Sequence, residues 1–88
     1  MPTARLAEVL GYVGANVRRI RVRRGLTQEA LAERAAIDLT TEQRIERGAT
    51  NLTVSVLVAL ADSLGVAPGL LLRAAKLTPA RRGRPRKR

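Results

Sequence analysis

The side chains with chemical reach in this sequence are arginines, and they come in two runs. Arg18, Arg19, Arg21, Arg23 and Arg24 follow one another with no acid among them. Arg81, Arg82, Arg84, Arg86, Lys87 and Arg88 fill six of the last eight positions, again without an acid. Over 88 residues there are 17 basic and 7 acidic side chains, a net charge of +10. Removing the six cations of the final run leaves 11 basic against 7 acidic, so residues 1–80 carry +4. Guanidinium groups at this density attract phosphate, and nucleic acid is the first partner to expect. Other chemistries lack their residues. There is no Cys and no His, which removes the thiol nucleophile, the disulfide, the zinc–thiolate site and the commonest general base. The seven carboxylates are scattered at helix starts and within helices, so no enzyme, cofactor or metal site is expected. Tyr12 is the one aromatic. A stacking platform for single strands needs several, so double-stranded nucleic acid is favoured.

The elements that must position these charges read as helices. Leu6, Val9, Leu10, Val13, Val17 and Ile20 recur in steps of three and four, one stripe of a first helix. Thr3 is its candidate cap, and Gly25 its stop. Gly11 and Gly14 lie inside and each costs about 1 kcal/mol against Ala, so a frayed or late start is expected. A second helix opens after Thr27, with Leu26 and Leu31 at staple positions, and ends near Ala35. A third begins at Asp38, or at Thr40 with a capping-box spacing, and runs to Arg47 before Gly48. Thr53 caps a fourth, whose apolar face is Val54, Leu57, Val58, Ala61 and Leu64, and Gly65 stops it. Pro68 opens a fifth through Leu70 to Leu72. No strand alternation, internal repeat or membrane-length apolar run is present. Nor is a signal peptide read at the N-terminus, so a cytoplasmic, nucleoid-associated protein is expected. The fold class is all-α: a five-helix domain over residues 1–77, then a basic, disordered arm over 78–88 that has nothing to bury.

Leu26-Thr27-Gln28-Glu29-Ala30-Leu31-Ala32-Glu33, followed by Arg44-Ile45-Glu46-Arg47-Gly48, resembles the helix-turn-helix of the phage-repressor (Cro/repressor, xenobiotic-response-element) family. The resemblance covers roughly Val13 to Leu72, with the motif at about 27–47. It implies that the second helix of the pair enters the major groove with its N-terminal end toward the bases. By the same resemblance Leu39, Thr40, Thr41, Gln43 and Arg44 are base readers. Arg44 suits the guanine edge, Gln43 adenine, and Leu39 and the Thr methyls thymine methyl groups. Thr27 and Gln28 at a helix start, Arg18 and Arg23, and Arg47 and Asn51 past the recognition helix are the phosphate candidates. A solvated charged face is the plainer reading of the Arg run. The resemblance also pairs Arg21 with Glu46, as a structural ion pair. Two positions depart from the family pattern. Ala36 stands where Gly is usual, which costs about 1–2 kcal/mol if the left-handed turn is kept. Glu42 stands where an apolar residue is usual. Since an unpaired buried carboxylate is costly, Glu42 is expected to reach solvent or an Arg, or the third helix to be rotated or to start late.

The arm Arg82-Gly83-Arg84-Pro85-Arg86 resembles an AT-hook, whose extended core fits a narrow minor groove. The plainer reading is a generic basic arm that neutralises phosphates. Among the three successive leucines, one is expected to stay exposed, which makes Val66, Leu70 and Leu71 candidates for a homodimer contact. The leading expectation is a sequence-specific, double-stranded-DNA-binding transcriptional regulator on a pseudo-palindromic operator. Two alternatives stand beside it. One is a nucleoid-type architectural protein that follows A·T content. The other is an antitoxin or restriction–modification controller, acting with a protein partner such as a toxin or RNA polymerase.

Overall fold

Thr3, Thr27, Asp38 and Thr53 each sit in extended backbone just before a helix. Each side-chain oxygen accepts the backbone N–H three residues on, from Leu6 at 3.0 Å, Ala30 at 3.0 Å, Thr41 at 2.8 Å and Val56 at 3.1 Å. Such a cap stabilises a helix by about 1 kcal/mol. The helices they open are α1 (Ala4–Arg23), α2 (Gln28–Ala35), α3 (Leu39–Glu46) and α4 (Val54–Leu64). The short α5 (Pro68–Leu71) has Pro at its start in place of a side-chain cap. This computed structural model describes residues 3–77. The arm read at 78–88, with Arg82, Gly83, Arg84, Pro85 and Arg86, lies outside the described residues. Among the described residues the architecture is all-helical, and no helix is long and apolar enough to cross a membrane.

The helix ends are as uniform as the starts. After α1, α2, α3 and α4 the chain turns through one residue at positive φ: Gly25, Ala36, Gly48 and Gly65. The following amide then reaches back five residues, as from Leu26 to Arg21 O and from Ile37 to Ala32 O. Three of these turns use Gly. Ala36 holds the fourth at φ 58°, so the left-handed turn survives with its Cβ in place.

Val13, Val17 and Ile20 of α1, Leu31 and Ala35 of α2, Ile45 of α3, Leu57, Leu60, Ala61 and Leu64 of α4, and Leu71 of α5 form one buried cluster. Besides the apolar face of α4, where Val54 and Val58 are exposed and Leu60 is buried in their place, two expectations need correction here. First, α1 neither frays at its glycines nor starts late. It runs unbroken from Ala4. A Cβ on Gly14 would come within 2.6 Å of Glu46 O, and closer still to Ile45 O. The missing side chain lets the C-terminal end of α3 lie against α1, and packing offsets the helix-propensity cost. Second, Leu71 is 0 % exposed and cannot be a dimer contact, while Val66 and Leu70 are half-buried against the core. Of the three leucines it is Leu72 that is exposed, at 46 %. The helical step between neighbours turns one leucine inward and the next out.

Candidate nucleic-acid interface

Asp38, rather than Thr40, starts the recognition helix. Its carboxylate accepts the Thr41 amide, and the side-chain and backbone hydrogen bonds with Thr41 hold its pKa below the ordinary value. Leu39 is therefore the first residue of α3. Thr40 and Arg44, four apart on one face, are both exposed. Leu39 and Gln43 make the neighbouring row, and with Thr41 they are half-buried. Glu42 and Ile45 point into the protein.

The orientation of α3 is fixed by an ion pair. Arg21 Nε donates to Glu46 Oε2 at 2.6 Å and Nη2 to Oε1 at 3.1 Å, while Nη1 donates to Leu26 O at 2.8 Å. One guanidinium thus holds α3, α1 and the entry to α2 together. Its bond to Glu46 raises the Arg21 pKa further. Burial works to raise the Glu46 pKa, but the hydrogen bonds from Arg21 and Gln28 outweigh it and hold the carboxyl below its ordinary value. Gln28 Nε2 donates to Glu46 Oε1 at 3.2 Å, and Gln43 Nε2 to Gln28 Oε1 at 3.4 Å. A primary amide has two N–H donors, so each Gln keeps one beyond these bonds. The network therefore orients Gln28 and Gln43 without using up their donors.

Glu42 departs from both expected outcomes. It is 0 % exposed, and neither carboxyl oxygen has a hydrogen-bond partner among the described groups. α3 is not rotated to release it, because Asp38 and the Arg21–Glu46 pair fix both ends. Burial, reinforced by the neighbouring Glu46, pushes the Glu42 pKa up to about 8. At neutral pH it stays protonated, and the cost of a buried charge is avoided by giving the charge up.

The remaining candidates are not all brought together. Thr27, Arg18, Arg23, Arg47 and Asn51 are exposed. Arg18 continues the Gly11–Gly14–Arg21 stripe that faces α3. Arg23, five residues further, falls about 140° around the helix, away from that stripe. Within the Arg run, Arg19 donates to Asn16 Oδ1 at 3.0 Å and Arg24 to Leu64 O at 2.9 Å. With Arg21, these spend bonds inside the fold. Sequence reasoning missed this division, and it missed Asn16 altogether. That residue is 2 % exposed, and its Nδ2 reaches Leu70 O, Leu71 O and Arg73 O at 3.4, 3.0 and 2.9 Å. A polar residue amid the apolar stripe of α1 was the available signal.

A helix pair joined by a tight left-handed turn, with its second helix clamped at the back and exposing Thr and Arg at the front, defines a helix-turn-helix DNA-binding protein. Comparison with known proteins agrees. The family model described as "Helix-turn-helix domain" matches residues 13–79. The chain is 39 % identical over 67 residues to an uncharacterized HTH-type transcriptional regulator, y4dJ, of Sinorhizobium fredii, covering 76 % of this chain and 87 % of that one. It is 38 % identical over 55 residues to a propionyl-CoA carboxylase regulator of Cereibacter sphaeroides, covering 62 % of this chain but only 12 % of that much longer protein. In structure it is similar to the restriction-modification controller protein C.AhdI of Aeromonas hydrophila. The TM-score is 0.68 at 32 % identity, over 70 % of this chain and 94 % of that one. The chain belongs to the helix-turn-helix family of DNA-binding transcriptional regulators.

Proposed function

We propose that this protein is a sequence-specific regulator that reads double-stranded DNA with the exposed face of α3. The observation that carries the reading is Thr40 and Arg44, exposed side by side on a helix whose back is locked by Arg21 and Glu46. Arg44 reads a guanine edge, Gln43 an adenine, and Leu39, Thr40 and Thr41 supply methyl contacts. Thr27 and Gln28 at the start of α2 take one phosphate, with the second Gln28 amide hydrogen aimed by Glu46. Arg47 and Asn51 take another, and Arg18 extends the same side. Arg23 serves only long-range attraction, since its face is turned away.

The working form is a homodimer on a pseudo-palindrome, with half-sites about one DNA turn, ~34 Å, apart. Its contact moves from Leu71 to the exposed Leu72 with Val54 and Val58, which are 46 %, 76 % and 38 % exposed. The arm adds six cations that bind phosphate or the minor groove beside the major-groove site. The protein would act in the cytoplasm, on the nucleoid. Selection of bound fragments from a random duplex pool tests the reading. A two-fold symmetric consensus is expected. Enrichment for A·T content alone would replace this reading with an architectural one. The likeness to C.AhdI favours one refinement, an autoregulatory controller. In that case the selected consensus recurs upstream of the protein's own gene.

A further inference from the structure

Glu46 sits at the root of a chain of hydrogen bonds that has only one possible polarity. Its side chain is 3 % exposed and its partner is the Arg21 guanidinium, so the carboxyl stays ionised. An ionised carboxyl accepts hydrogen bonds and donates none. The end of the Gln28 amide that faces it must therefore be the nitrogen, and Gln28 Nε2 donates to Glu46 Oε1 at 3.2 Å. That choice leaves Gln28 Oε1 to face α3, where it accepts from Gln43 Nε2 at 3.4 Å. Gln43 is left with its own Oε1 and one N–H unspent. Turning either amide around would set oxygen against oxygen, at Glu46 or between the two glutamines. Both glutamines are half-buried, so water does not readily replace the lost bond.

We infer that the Arg21–Glu46 pair, acting through Gln28, fixes the order of donor and acceptor on Gln43 and thereby makes it discriminate adenine from guanine. The inference rests on the DNA-reading proposal above. It adds two specificity-determining residues, Gln28 and Glu46, that touch no base. Adenine presents N7 as an acceptor and its N6 amine as a donor, whereas guanine presents N7 and O6, both acceptors. A glutamine amide free to turn offers an N–H to either purine. A locked amide has one order. It meets adenine with its N–H on N7 and its oxygen on the amine. On guanine the same order leaves its oxygen against O6. Discrimination then comes from a repulsion that Gln43 has no freedom to relieve.

Single-base variants of a selected duplex, bound by the full-length chain, test the lock. Gln43→Ala locates the base pair, as the one position where a preference disappears. At that pair the parent should favour adenine over guanine by about ten-fold or more. Gln28→Met removes the amide at similar length and should bring the ratio below about three-fold, because Gln43 is then free to turn. Gln28→Lys still donates to Glu46 but offers Gln43 only donors, which draws the Gln43 oxygen toward it, and the adenine preference should disappear. Glu46→Gln both donates and accepts, so it should lower the ratio as well. Every reading is a ratio between two duplexes on the same folded protein, so lost stability or a lost phosphate contact at Gln28 cancels. A ratio that survives Glu46→Gln, or that survives both Gln28 variants, would overturn the lock while leaving Gln43 a base reader. So would a parent preference for guanine. If Gln43→Ala changed the preference at no base pair, the reading of Gln43 itself would fail, and the inference with it.

Discussion

Glu42 and Glu46 are the same residue type on the same helix, four residues apart, and they end in opposite protonation states. Glu46 meets Arg21 and Gln28 and keeps its charge, with a pKa below the ordinary value. Glu42 lies one turn nearer the start of α3, facing the interior with no partner for either oxygen, and its pKa rises to about 8. The difference lies in reach, not in chemistry. Arg21 has one guanidinium, and Leu26 O and Glu46 occupy it. Two carboxylates competing for one cation in a low dielectric settle with one ionised and one neutral. A buried carboxyl is thus no evidence of strength by itself. Its partners decide whether it holds the helix or burdens it.

The largest expected effect comes from breaking the favourable member. Glu46→Ala strands the Arg21 guanidinium and should cost about 3–5 kcal/mol in urea unfolding, as for other buried pairs that lose one partner. A loss within 0.5 kcal/mol would mean that the pair does not orient α3. Glu42→Leu should act in the other direction and stabilise by about 2 kcal/mol at pH 7, by removing an unsatisfied polar group.

The same variants separate by pH. A carboxyl with a raised folded pKa binds a proton more tightly when folded. For Glu42 the penalty grows between its ordinary 4.5 and about 8, so stability falls across that window, by at most about 1.4 kcal/mol per pH unit. Glu46 has the opposite sign. Its contribution is present above the ordinary carboxylate value and is lost as pH falls through its lowered folded value. The parent protein should therefore be most stable near pH 5, and Glu42→Leu should flatten the descent toward pH 8. A descent that persists in Glu42→Leu would assign it to another group.

The exposed side of α3 should respond independently of both carboxyls. Arg44→Ala leaves no buried group unpaired, so its unfolding curve should match the parent. Its binding should lose about 1–3 kcal/mol of discrimination at one base pair, measured on single-base variants of the selected duplex. A uniform loss on all sequences would make Arg44 a phosphate contact.

The contrast between the two carboxyls also marks what was legible in the sequence. Caps and stops were, because Thr3, Thr27, Asp38 and Thr53 act through bonds to residues three positions on. The Arg21–Glu46 pair followed from the motif. The fate of Glu42 did not, because escape to solvent or to an Arg depends on what already occupies the neighbouring cation. Gly14 misled for a similar reason. Its local cost was visible, while the α3 carbonyls that need its empty side are 31 and 32 residues away. Asn16 acts across 54 to 57 residues, and no spacing rule reaches that far. In each case the missing information was which distant backbone comes close.

Ala36 supplies the last and smallest test. It is the one non-glycine residue at positive φ among the described residues, and it sets the turn from α2 into α3 without touching either carboxyl. Ala36→Gly removes the Cβ clash of a left-handed residue but adds freedom to the unfolded chain, and the two partly cancel. A net gain of about 1 kcal/mol is expected, with the pH profile displaced upward and unchanged in slope. That parallel displacement is the informative part. If the strained turn were what pressed Glu42 into the core, relaxing it would let the carboxyl escape and flatten the descent between pH 5 and 8. With Asp38 capping one end of α3 and Arg21 holding the other, the helix has no slack to pass on. The descent should remain, because the anchors of α3, not the strain of the turn, keep Glu42 inside.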